Sequence, residues 1–170
     1  MKRRNVVILS GLAAVAVGWY LFRPDRLVID ERVDESFPVA AAAAASPTSP
    51  ASSAPAVLAS GSFHGNAHET TGSATIYQLE GGRRVLRLAD FATSNGPDVR
   101  VFLVAASDVT DNDTVKRAGF IELGALKGNI GAQNYDVPTE VDLARYRAVT
   151  IWCNRFSVNF GTAPLAAPRS

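Results

Sequence analysis

The stretch SATIYQLEGGRRVLRL, residues 73–88, decides the fold class of this 170-residue chain. Apolar and polar residues alternate on both sides of Gly81-Gly82, which is the pattern of two half-buried strands. A pair of glycines suits a tight turn between such strands, because glycine tolerates the positive φ angles that hairpin turns require. The stretch therefore predicts an antiparallel β-hairpin.

Further short apolar or alternating stretches follow the hairpin, separated by segments rich in Gly, Asn, Asp and Ser. The candidate strands are Val99–Ala105, Gly119–Leu123, Asn134–Pro138, Ala148–Cys153 and Phe156–Ala163. Only Thr139–Arg145 has a helical pattern, so a layout with crossover helices has little support. The sequence predicts an all-β fold, an antiparallel β-sandwich of about eight short strands.

Residues 1–22 are predicted to be an N-terminal membrane anchor. The basic start, Met1-Lys-Arg-Arg4, precedes a nearly uninterrupted apolar run from Val6 to Phe22, which is just long enough to cross a bilayer as a helix. The basic cluster favours a cytoplasmic N-terminus, which would make the chain a single-pass membrane protein with an extracytoplasmic domain. A cleaved signal peptide, with a cleavage site within Ala40–Ser46, is the open alternative.

Residues 23–56 are predicted to be a linker. Its first part, Leu27–Phe37, is charged, and a solvated role is expected for it. Its second part, residues 39–56, is almost entirely Ala, Ser, Pro and Thr, which indicates a flexible tether because few bulky apolar groups are available to bury. The folded domain is then expected to span residues 57–165, followed by a tail, 166–170.

The charge balance and the absence of certain motifs argue against several classes of function. The chain has 17 basic and 16 acidic residues, so no basic excess is available to neutralise phosphates, and nucleic acid is not an expected partner. No serine lies in a Gly-x-Ser-x-Gly elbow, and Gly124–Gly128 lacks the Gly-Lys-Ser/Thr ending of a phosphate loop. Hydrolytic and nucleotide-dependent activities therefore have no motif to support them.

The only cysteine, Cys153, lies in the run VTIWCNRFSVNF, residues 149–160. A lone cysteine cannot form an internal disulfide, so in an exported domain it is either a small core side chain or a group held for redox chemistry or ligation. The apolar face changes register across Asn154-Arg155, which predicts a bulge or bend there. Arg155 would favour the thiolate if its guanidinium group points toward the sulfur. Both interpretations of Cys153 stay open at this point.

Two histidines are the available second donors if Cys153 binds a haem or a metal ion. His64 and His68 are four residues apart, and on a strand they would lie about 13 Å from each other, too far to hold one ion. A half-buried histidine bonded to a backbone carbonyl is the structural alternative.

The segment Ser94-Asn-Gly-Pro-Asp98 is either a tight structural turn or part of a ligand pocket. Asn95 and Gly96 tolerate positive φ, and Asp98 can accept hydrogen bonds from nearby amides. As a pocket, the segment would present Asn95 and Asp98, with Trp152 as a further candidate. The acidic run Asp108, Asp111 and Asp113 has the composition of a calcium loop but lacks its glycine and terminal glutamate.

Through several of these residues, the sequence resembles the DM-thirteen domain family, also called the electron-transfer DM domain. The most specific are Ser94-Asn-Gly-Pro-Asp98 and the Trp-Cys-x-x-Phe-x-Val-x-Phe run, Trp152–Phe160. The other matching positions are Gly61-Ser-Phe63, His68, Gly72, Leu86-Arg-Leu88, Phe91, Gly131, Gln133-Asn-Tyr135, Pro138 and Ala163-Pro-Leu165. The resemblance covers residues 57–165 and implies an extracytoplasmic β-rich module.

The resemblance also implies a role for Cys153. The single cysteine is the hallmark of the family motif and is expected to act in redox transfer, as a free thiol or through a prosthetic group such as haem. His68 matches the family pattern and is preferred over His64 as the partner of the cysteine. The expected function is a membrane-anchored redox or electron-transfer accessory, not a self-contained enzyme, with a membrane or exported redox protein as partner. The alternative is a non-catalytic exported module that binds a ligand or a protein.

Overall fold

The fold is known from a computed structural model, which describes residues 11–13, 17–18, 20, 30–38 and 55–168. Two antiparallel sheets, with strand orders β1-β3-β4-β7 and β2-β9-β8-β5-β6, pack face to face. The predicted all-β sandwich is confirmed, with nine strands in the described part of the chain. The elements are β1 Ala56–Ser62, β2 His64–Gly65, β3 Thr71–Gln78, β4 Arg84–Ala92, β5 Val99–Val104, α1 Asn112–Ala118, β6 Phe120–Ala125, β7 Gln133–Val137, β8 Ala148–Cys153 and β9 Val158–Pro164.

The predicted hairpin is formed by β3 and β4. Ile76 pairs with Leu86 across it, and both side chains are fully buried. A short 3-10 turn, Glu80–Gly82, joins the two strands, with φ angles of 76° at Gly81 and 83° at Gly82. These are angles that residues with a side chain adopt only with strain, so the glycine pair is what permits the turn.

Two hydrophobic clusters flank the second sheet. The main core lies between the sheets and includes Val101 and Ile151. A second cluster lies on the other face of that sheet and contains Phe102, Trp152 and Val115, the last from α1. Successive residues of a strand point to opposite faces, so neighbours in sequence are divided between the two clusters. The second sheet is therefore covered on both faces.

Helix α1 corrects one prediction. Thr139–Arg145 is not helical but forms hydrogen-bonded turns, with the Tyr146 amide donating to the Asp142 carbonyl at 2.9 Å. The α-helix lies instead at Asn112–Ala118, where the Asp111 carboxylate accepts from the Thr114 amide at 2.7 Å. An aspartate in this position satisfies an amide that the first helical turn leaves unpaired. Within the acidic run that has a calcium-loop composition, Asp111 is thus a helix cap and Asp113 lies in the first helical turn.

Residues 30–38, here called the strap, lie along the segment Gly128–Asn134. Arg32 forms a parallel bridge with Ile130. The Val33 amide donates to the Ile130 carbonyl and the Glu35 amide to the Ala132 carbonyl, each at 2.9 Å. A purely solvated role, as expected for this charged stretch, does not describe it, because its backbone pairs with the domain.

No helix in the described part of the chain is long and apolar enough to cross a membrane. Most of the predicted anchor, which is residues 1–22, lies outside the described residues. The same holds for residues 39–54 of the predicted tether, which is residues 39–56.

Candidate functional site: a buried thiol at one end of the sandwich

Cys153 is the last residue of β8, and its neighbours across the sheet are Val99 and Val158. Its side chain is 0% exposed and belongs to the main core between the sheets. Trp152 points the other way, into the second cluster, with its ring centroid 6.2 Å from that of Phe102. The cysteine and the adjacent tryptophan therefore do not share a pocket.

The Ser94–Asp98 loop covers the core beside Cys153. A Cβ atom on Gly96 would lie 2.8 Å from Cγ2 of Val99 and 3.2 Å from Cζ of Phe160. Both contacted residues belong to the same core cluster as the cysteine. Because the loop approaches them this closely, a side chain at position 96 would push it away from the core. We call this end of the sandwich, formed by the 94–98 loop, Cys153, the 154–157 turn and His68, the thiol end.

Three residues fasten the loop to the chain directly after Cys153. The Asp98 carboxylate accepts from Arg100 Nε at 2.6 Å and from Asn154 Nδ2 at 3.2 Å. The Asn154 amide also donates to the Asp98 carbonyl at 2.8 Å. Arg100 in turn donates to Glu122 on the neighbouring strand at 2.6 Å. Asp98, Arg100 and Asn154, here called the Asp98 clamp, hold the loop closed.

The clamp controls the protonation of Asp98. Partial burial acts to raise the pKa of this carboxyl group, but hydrogen bonds from Arg100 and Asn154 and the positive charges of Arg100 and Arg155 outweigh it. The pKa of Asp98 therefore lies below its ordinary value of 3.8. The closed loop favours the ionised carboxylate.

This shift predicts an acid-sensitive thiol end. A carboxyl group with a lowered pKa in the folded state adds stability above the unfolded pKa, 3.8, and that stability is lost as the pH falls through the folded value. Urea unfolding from pH 6 to pH 2 should show a steeper loss below pH 4 for the wild type than for Asp98→Asn. At pH 6 the variant should be less stable by about 1 kcal/mol. Parallel curves for the two proteins would contradict the assignment.

The predicted bend at Asn154-Arg155 is a hairpin turn. Residues 154–157 connect β8 to β9, and Ser157 has a φ of 54°. The irregular step in the β8–β9 pairing lies earlier, between Ile151 and Trp152. Arg155 is exposed, and its charge contributes to the low pKa of Asp98.

The two histidines lie in different surroundings. His68 is half-buried at the thiol end, where its ring centroid is 4.0 Å from that of Phe160 and its amide donates to the Phe160 carbonyl at 3.2 Å. His64 contacts Asp108 instead, with 2.9 Å between Nε2 and Oδ1. The structure thus brings His68, and not His64, to the same end as Cys153.

The residues at the thiol end do not fit a haem held by Cys153. Axial ligation requires a sulfur atom that faces a space large enough for the macrocycle. The Cys153 side chain has no exposed surface and is enclosed by core residues. Among the residues that the structure describes, no group of three or more His, Cys, Asp or Glu side chains is placed to hold a metal ion.

A polar cavity of about 220 Å³ lies beside the loop. Asn95, Asp98 and Arg100 line it, together with Asn129 and the strap residue Glu31. Two of the three predicted pocket residues, Asn95 and Asp98, are therefore together, while Trp152 packs in the second cluster and does not line the cavity. Sites for drug-sized ligands usually have about 300–1,000 Å³, so this cavity suits only a small polar molecule.

Sequence reasoning did not single out Arg100 and Asn154 as residues that close the thiol end, although Phe160 is part of the family motif. Arg100 and Asn154 form the clamp, and Phe160 supports both His68 and Gly96. One signal was available: Asp98 and Arg100 are two residues apart at the start of a strand, and side chains with that spacing share a face.

The fold and this site define a two-sheet β-sandwich module built around one buried thiol. The family model described as Electron transfer DM13 matches residues 62–165, and the chain belongs to this family. The resemblance carried by the two motifs is thereby confirmed, and membership indicates an electron-transfer-related module. Searches of curated proteins and of solved structures gave no significant match.

Proposed function

We propose that the protein is a membrane-anchored, extracytoplasmic redox accessory in which Cys153 is a gated thiol. The observation that carries this proposal is the burial of Cys153 at a strand end, beside a loop that the polar Asp98 clamp fastens to the chain after the cysteine. The family membership adds the electron-transfer context. The apolar run Val6–Phe22 after a basic start supports the membrane anchor.

Opening of the loop is the step that would expose the sulfur. The 94–98 loop has little regular structure and connects two strands, and such segments open at a lower free energy than core strands. Strand β8 itself is central in its sheet, paired on both sides by β5 and β9. Access through the loop therefore disturbs less of the fold than access through the sheet.

Exchange with a disulfide of a partner protein is the chemistry we assign to the exposed thiol. Cys153 gives its proton to solvent, and the thiolate forms a bond to one sulfur of the partner disulfide. The original S–S bond breaks, and the other partner sulfur leaves as a thiolate. A thiolate of the partner then attacks the partner's own sulfur in this mixed disulfide, which forms a partner disulfide and releases Cys153 as a thiolate that takes up a proton from solvent. Cys153 thus cycles between thiol and mixed disulfide without a bound cofactor.

The second candidate is a non-catalytic binding module, and the polar cavity of about 220 Å³ beside the 94–98 loop is the observation that favours it. In that case the cysteine is a core side chain, and the polar cavity lined by Asn95, Asp98 and Arg100 is the working surface. The two functions differ in one measurable property, because only the redox accessory needs a route to the sulfur that leaves the fold intact.

Asn154→Ala tests that route. The substitution removes the side-chain hydrogen bond to Asp98 and should ease loop opening by about 1 kcal/mol, which raises the native reaction rate of Cys153 with a disulfide reagent about fivefold. Glu140→Ala, a substitution of an exposed residue outside the thiol end, is the control and should leave the rate unchanged. If Asn154→Ala lowers the free energy of unfolding without changing the native rate, the gated thiol is excluded and the binding module is favoured.

A further inference from the structure

The strap is held by specific contacts along its whole length. The Glu35 carboxylate binds Lys127 Nζ at 2.7 Å through one oxygen and accepts from the Asn134 amide at 2.7 Å through the other. Burial acts to raise the pKa of Glu35, but these contacts outweigh it and hold the pKa below its ordinary value. The Arg87 guanidinium donates to the Glu35 carbonyl at 3.1 Å. The strap is therefore an integral part of the folded unit, although it precedes the residues that the family model matches.

Two glycines make room for the strap. A Cβ atom on Gly128 would lie 2.5 Å from the Glu31 carbonyl oxygen and 2.9 Å from Cγ2 of Val33. A Cβ on Gly131 would overlap the Val33 carbonyl oxygen. Real Cβ atoms do not approach backbone oxygens this closely, so either side chain would displace the strap. The absence of side chains at these positions fits a strap that is seated in the native state.

The strap runs from the thiol end to the opposite end of the sandwich. At its start, Asn129 Nδ2 donates to Asp30 at 2.8 Å and to the carbonyl of Thr93, just before the 94–98 loop, at 3.0 Å. At its end, the Phe37 ring packs edge-on against Tyr77, with centroids 4.8 Å apart. Seven residue steps of extended chain cover about 23 Å. The chain therefore enters the folded unit at the thiol end.

The chain also returns to the domain beside the place where the strap finishes. Val57 of β1 pairs with Tyr77, the residue that Phe37 contacts. The intervening Ala, Ser and Pro-rich residues therefore connect two points near Tyr77. Their length adds nothing to the distance between the predicted anchor and the thiol end.

We propose that the thiol end is the surface of the domain that faces the bilayer, and that the strap holds it there. This inference rests on the membrane anchor of the proposed function. Only residues 23–29 separate the apolar run, which ends at Phe22, from the docked Asp30. Fully extended, that connection reaches about 28 Å. A partner of the thiol end must then lie within the same short distance of the membrane surface.

The 154–157 turn, at the tip of the thiol end, has side chains that suit contact with a membrane surface. Phe156 lies in the turn between β8 and β9, and its apolar ring is 56% exposed. Arg155 precedes it and is also exposed. An aromatic ring beside a basic side chain suits the boundary between lipid headgroups and acyl chains. The exposed Phe156 beside Arg155 therefore supports the same orientation as the strap, with the thiol end toward the bilayer.

Energy transfer from single labelled positions to the bilayer tests the orientation. The full chain with Cys153→Ala, reconstituted in phosphatidylcholine vesicles that contain headgroup-labelled acceptor lipid, receives one new cysteine for a donor dye. Glu69→Cys places the dye just before β3 at the thiol end, and Glu140→Cys places it beyond β7 at the opposite end; both residues are exposed. Energy transfer should be higher from position 69 than from position 140.

Displacing the strap should remove the difference in energy transfer between positions 69 and 140. Gly128→Ala collides with the strap backbone, and release of the strap lengthens the connection between Phe22 and Pro55 to about 115 Å at full extension. Glu35→Ala is the milder second variant if Gly128→Ala lowers the melting temperature of the whole domain. Phe156→Ser should also lower energy transfer from position 69.

The outcomes of this experiment test the orientation of the thiol end separately from the membrane anchor. Equal or reversed transfer from the two positions, in chains that float with the vesicles, overturns the orientation and leaves the anchor intact. Failure of the chain to float with vesicles overturns the anchor, and the orientation with it.

Discussion

In the folded protein, Cys153 is expected to react with a neutral disulfide reagent at least about a thousandfold more slowly than in the urea-unfolded chain. A thousandfold corresponds to about 4 kcal/mol, a reasonable free energy for opening one end of a small domain whose total stability is about 5–15 kcal/mol. The reason is structural, because the sulfur has no exposed surface and lies beside a clamped loop. Stopped-flow absorbance with an aromatic disulfide at pH 8 measures both rates.

The single cysteine makes this measurement unambiguous, since every reacting sulfur is Cys153. Cys153→Ala gives the reagent blank. A native rate within tenfold of the unfolded rate would show that the sulfur is open to solvent, contrary to the burial of all six residues of β8.

Gly61→Ala is expected to destabilise the domain by about 3 kcal/mol or more, as severe overpacking does. A Cβ at this position would overlap the carbonyl oxygen of Pro164, where β1 of one sheet meets the end of β9 of the other. The same corner is closed by two hydrogen bonds of 2.9 Å between the backbones of Ser60 and Ala166. The alanine must therefore separate the sheets where they join.

Gly81→Ala is the matched control for this effect. No atom lies within 4 Å of a Cβ at position 81, but its φ of 76° disfavours a side chain, so the expected cost is only about 1–2 kcal/mol. Urea denaturation of both variants at neutral pH gives the comparison. A loss at Gly61 no larger than that at Gly81 would show that the corner opens without resistance and that the close approach of the sheets is unimportant.

Local patterns sufficed to predict seven of the nine strands in the described part of the chain, whereas β1 and β2 were not among the candidates. Alternation around Gly81-Gly82 gave the hairpin, and the boundaries of Ala148–Cys153 agree with β8. Helix α1 was missed because its first residues are acidic and polar, and only Val115 of the seven is buried. With so little apolar periodicity, the capping aspartate was the one signal of the helix, and the acidic run that contains it was compared instead with a calcium loop, whose glycine and terminal glutamate it lacks.

The docking of the strap and the burial of Cys153 could not be predicted from the sequence, because both depend on contacts between distant parts of the chain. Charge composition made residues 27–37 resemble a solvated linker, because a strand that docks by backbone hydrogen bonds leaves no apolar pattern. The burial of Cys153 depends on a loop more than fifty residues earlier in the chain, fastened by Asn154. The pairing of Val99 with Cys153, which brings that loop to the thiol, is not encoded in either segment alone.

The most direct test of the gated thiol is the native reaction rate of Cys153 measured against urea concentration, from zero to just below the unfolding transition. Local opening of the 94–98 loop exposes little surface, so we expect a rate that is nearly independent of urea at low concentration and that Asn154→Ala raises throughout this range. A rate that rises from the first addition of urea with the full slope of global unfolding would mean that the sulfur is reached only in the unfolded chain. Cys153 would then be a structural core residue, and the redox role proposed for it would be wrong.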